Sequence, residues 1–163
     1  MLRHRVPAPP ALRRPDIGML HVFCALLYLL VCIPLGLYLA ISPTWHLEWI
    51  MVYGVCGLLG FGAQMVLGVA MRLFPMFAWK EAWVGGGFKT LPRSPHAMAP
   101  RKLQWAVFCL WTPAVPLLAW GLATTHTAII AAAGWMLFAA TIAAALGSAR
   151  VLFLAAPAGP TRA

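Results

Sequence analysis

Acidic residues are nearly missing from this 163-residue chain. Asp16, Glu48 and Glu81 face twelve lysines and arginines. Charged residues of either sign make up only 9% of the sequence, against about 25% in a soluble domain. None of the three acids falls inside an apolar run. No pair is therefore placed for acid–base work in a membrane, and no intramembrane charge marks an ion or proton path. Serine is scarce as well: Ser42, Ser94 and Ser148 lie in loops or at helix ends, which defeats a Ser-His-Asp arrangement. Cys24, Cys32, Cys56 and Cys109 stand singly in apolar runs, without a CxxC or CxxCH, and read as small hydrophobes. The Gly85-Gly86-Gly87 run has no strand, GK[ST] or GxGxxG beside it, so it reads as a hinge and not a phosphate cradle. These absences argue against a hydrolase or a pump.

What is present is apolar. Hydrophobic residues make up 63% of the chain and the mean hydropathy is +0.85, the composition of an integral membrane protein. The net charge of +9 does not point to a nucleic-acid partner. The basic residues are confined to segments between apolar runs, form no helical stripe and are not interleaved with stacking aromatics. Arginine outnumbers lysine nine to three and alanine is abundant, consistent with a GC-rich bacterial gene and an inner membrane.

The chain is organised around Trp49 to Phe77, which carries no charge until Arg72. Such a run is long enough to cross a hydrocarbon core of roughly 30 Å. On a 3.6-residue period Tyr53, Gly57, Gly60, Gln64 and Gly68 share one face. Gly57, Gly60 and Gly68 make it a helix-packing face, open to another helix or a flat ligand. Gln64 sits in its middle, near mid-membrane, where an amide needs a partner because lipid offers none.

Around this stretch the sequence predicts an all-α, four-helix transmembrane bundle of up-down topology. A disordered basic arm covers 1–16. The membrane domain spans 17–154, with helices over 17–41, 49–74, 103–123 and 128–147, a cytoplasmic loop over 75–102, and a flexible tail over 155–163. Pro34 and Gly36 are expected to kink the first helix, and Pro113 and Pro116 to bend or break the third. Pro75 is expected to end the second. Phe77, Trp79, Trp83 and Phe88 suit a loop lying along the membrane surface. Trp45 and Trp49 suit interfacial anchoring. The alanine-rich fourth helix suits close helix contact. Every lysine and arginine lies in the arm, between Arg72 and Lys102, or from Arg150 onward. By the positive-inside rule both termini and the long loop are then cytoplasmic, and the turns at His46 and His126 face outward.

Five histidines offer the remaining chemistry. His4 and His96 fall in basic segments and read as solvated. His21, near the inner end of the first helix, is either a packing histidine or a ligand. His46 and His126 are either interfacial or, with Glu48 nearby, a metal or haem-edge site.

The run Gly60-Phe61-Gly62-Ala63-Gln64-Met65-Val66-Leu67-Gly68-Val69-Ala70-Met71-Arg72-Leu73-Phe74-Pro75-Met76-Phe77 resembles the second helix of small four-helix proteins related to haem-copper oxidase subunit I. The resemblance covers this helix, and the other three by length and order. It implies a place in a respiratory chain and electron transport. It also implies a haem b ligand two to three turns before Gln64, where this chain has Tyr53 and not histidine. Counterparts of the copper-site histidines are absent.

Three functions follow as expectations. The first is an accessory or structural subunit of a respiratory or redox membrane complex, non-catalytic by itself, docking other subunits through the glycine face and the alanine-rich helix. The second is a haem- or metal-binding electron-transfer protein, with His46, Tyr53, Gln64 and His21 at a cofactor and His46 and His126 at a metal. The third is a transporter or assembly factor. All three place the chain in a lipid bilayer.

Overall fold

The computed structural model describes residues 16–44, 46–85 and 100–155. The arm up to residue 15, Trp45, residues 86–99 of the expected loop and the tail from 156 lie outside the described residues. Helix α1 spans Ile17–Ile41, α2 Leu47–Gly85, α3 Arg101–Ala123 and α4 Thr127–Ala155. All four are long and apolar enough to cross a membrane. Large side chains such as Phe23, Leu58, Val66 and Phe153 face outward, as a lipid-facing surface requires.

Helix α1 begins where Asp16, in an extended conformation, accepts a hydrogen bond at Oδ1 from the Gly18 N–H at 3.0 Å. It passes Pro34 without a break and stops at Ser42-Pro43. Helix α2 returns antiparallel to it. Glycine on one helix meets a larger group on the other all along the interface: Gly36 against the Tyr53 ring, Gly57 near Cys32, Gly60 on the Tyr28 ring, and Gly68 on the Gly18 carbonyl, His21 and Val22.

One expectation about α2 is corrected, and one about α3 is narrowed. Helix α2 does not end at Pro75 but continues to Gly85, so 75–85 is helix and not loop. Proline removes one donor, yet its fixed φ fits a helix. Beyond it Ala78 is buried against Val151 of α4, and Trp79 and Trp83 pair one turn apart at 5.0 Å. At 39 residues, roughly 58 Å, α2 outruns the bilayer core and its Gly85 end projects beyond it. Helix α3 is continuous through Pro113 and Pro116, which excludes a break there and not a bend.

The middle of α2, Cys56–Ala63, is a π-helix. The sequence there is CGLLGFGA, whose three glycines tolerate the wider turn. Trp111 of α3 donates its indole N–H to the Leu59 carbonyl in this stretch at 3.3 Å. Trp111 also joins Val115 and Ala140 in a buried core, with Tyr28, Leu59 and Leu137 packed on it, so all four helices contribute.

Helices α3 and α4 form the second antiparallel pair. Thr125 turns the chain with φ of 55°, the left-handed region. The His126 N–H reaches the Gly121 carbonyl at 3.0 Å and the Thr125 N–H the Leu122 carbonyl at 3.4 Å, which closes the end of α3. Ala133 and Ala140 on α4 are fully buried, seven residues apart, and Gly147 continues the seam against Leu103. The alanine helix thus makes its close contact within the chain.

Candidate functional site

The polar groups that matter are where α1, α2 and α3 meet. His21 and Gln64 are both fully buried. His21 sits one turn into α1, its Cβ against Gly68 of α2 and its ring edge-on to Phe108 of α3 at 5.1 Å and 82°. Gln64 lies one turn from Gly68 on α2, and so about one turn along the interface from His21. Each is enclosed between the same two contacts. On one side Gly60 packs on Tyr28; on the other Arg72 meets Asp16.

Neither side chain has a hydrogen-bond partner. Both ring nitrogens of His21 and both amide atoms of Gln64 are buried without one, and so is the hydroxyl of Thr112, one turn from Phe108 on α3. Leaving a buried polar group unpaired costs about 1–3 kcal/mol, and lipid supplies no substitute. Each side chain offers unmet capacity: an imidazole nitrogen able to donate or ligate, a second able to accept, and an amide offering both functions.

The Asp16–Arg72 pair lies on the arginine-bearing side of His21 and Gln64. Arg72 Nε lies 3.0 Å from Asp16 Oδ2, and an Arg72 guanidinium N–H donates to Met19 Sδ at 3.1 Å. It is the only ion pair among the described residues. Both partners are substantially exposed, so its role is to clasp helix ends more than to add stability.

The other candidate residues lie apart. Tyr53 is 41% exposed and lays its ring across Gly36, three turns from Gln64, so the two do not line one site. His46 is exposed at the start of α2, its Nε2 3.5 Å from the Thr44 hydroxyl. His126 is exposed at the start of α4, engaged through its backbone carbonyl by Ile129 and Ile130. Among the described residues no three His, Cys, Asp or Glu side chains come together to hold a metal ion.

Gly57, Gly60 and Gly68 do form a packing face, but α1 occupies it. A Cβ at Gly60 would stand 2.5 Å from the Tyr28 ring, and one at Gly68 2.7 Å from the Gly18 carbonyl oxygen. That closeness leaves no slot for a flat macrocycle on this face, and Tyr53 supplies no imidazole. The residues present therefore do not fit a haem b held there. The same contacts correct the expectation that this face docks another subunit.

The sequence reading missed Asp16–Arg72, Trp111 and Thr112. A signal existed for the first: an acid opening α1 and the arginine closing the apolar part of α2 belong on one side of the membrane. Compared with known families, curated proteins and solved structures, the chain matches none.

Proposed function

We propose that this chain is an accessory or structural subunit of a respiratory or redox membrane complex, non-catalytic by itself, in a bacterial inner membrane with its arginine-bearing side cytoplasmic. The observation that supports this reading most is the α1–α2 interface. Helix α2 carries the oxidase-like run from Gly60 to Phe77, yet the face that would meet a cofactor is packed against Tyr28, His21 and Gly18. The surface left for other subunits is then the outward one. On α4 it includes Trp135 and Phe138, paired at 5.8 Å and 70% and 57% exposed. The test is extraction in mild detergent followed by a reduced-minus-oxidised visible spectrum and identification of co-purifying chains. A colourless chain arriving with haem-bearing partners, and released from them by Trp135→Ala with Phe138→Ala, is expected. A haem spectrum that stays with the 17.7 kDa chain after partners are stripped overturns the reading.

The buried, unpartnered His21 and Gln64 favour a second reading, a redox carrier holding its own metal or haem. A haem on His21 requires α1 and α2 to part at Gly68. The same spectrum, repeated on His21→Leu, separates the two: the carrier reading requires a signal that this variant abolishes.

A further inference from the structure

We draw no further inference here: the strongest candidate, the apolar cleft where Ala70 of α2, Val107 of α3 and Ala144 of α4 come together, rests on its lining alone, and nothing in the structure shows what covers or fills it.

Discussion

Helices α1 and α2 meet through glycine, whereas α3 and α4 meet through alanine, and the two pairs differ in what they can tolerate. At the first interface backbone touches backbone: Gly18 and Gly68 each stand so close that a Cβ would lie 2.7 Å from the other's carbonyl oxygen. At the second, Ala133 and Ala140 already supply the contact; a Cβ would be tight at Gly121 beside the turn, 3.0 Å from Ile130, but at Gly147 it would stand 3.8 Å from Pro100 and 3.9 Å from Leu103, an ordinary contact. Glycine contact leaves no room, and the α1–α2 pair it joins encloses buried polar groups with α3. Alanine contact is looser at its arginine-bearing end, where a cleft remains. Close approach in a membrane can therefore serve either to seal a compartment or to leave one open.

The widest test of this contrast is Gly68→Ala beside Gly147→Ala. The first is expected to destabilise by about 3 kcal/mol or more, because a backbone carbonyl cannot step aside. The second is expected to leave the thermal unfolding midpoint in detergent unchanged. Equal losses in the two variants would break the comparison. Next in size are His21→Leu and Gln64→Leu. If the compartment holds no guest, each removes an unpaired polar group and is expected to raise stability by about 1–3 kcal/mol. A loss of stability in either, read by the same melt, means the native side chain is engaged with a guest.

Smaller effects sharpen the picture at the helix ends. Thr125→Gly relieves a left-handed conformation in a β-branched residue and is expected to raise stability by about 1 kcal/mol in thermal unfolding. Asp16→Asn keeps the cap on α1 but removes the ion pair to Arg72. Its expected cost is about 0.5 kcal/mol, seen as a small fall in the midpoint that vanishes in high salt.

The four spans were legible because hydrophobic runs of twenty or more residues between basic segments have few other solutions. The glycine face was legible as a period, from Tyr53 to Gly68, but its occupant was not. A face of bare backbone suits a partner subunit, a ligand or a neighbouring helix equally. Only the register of α1, with Tyr28 at Gly60 and His21 at Gly68, decides among them. His21 and Gln64 were each legible as candidates, since polar side chains in apolar runs are few. Their burial one turn apart along one interface was not, because it depends on two helices meeting at Gly68. The extension of α2 past Pro75 was misread for a related reason. Proline's local rule ends helices often, but Ala78 against Val151 is a contact 73 residues apart in sequence.

By itself the sequence determined that this protein lies in a bilayer and folds as four helices, because local hydrophobicity and backbone satisfaction allow little else in lipid. It also determined the two ends of the bundle chemically, one carrying the arginines and lysines and the other His46 and His126. Tertiary structure alone decided the π-helical stretch held by Trp111, the burial of His21 and of Gln64, and the cleft beside Ala144. Those features depend on the gap between helices, and that gap is set by which small residue meets which large one across an interface.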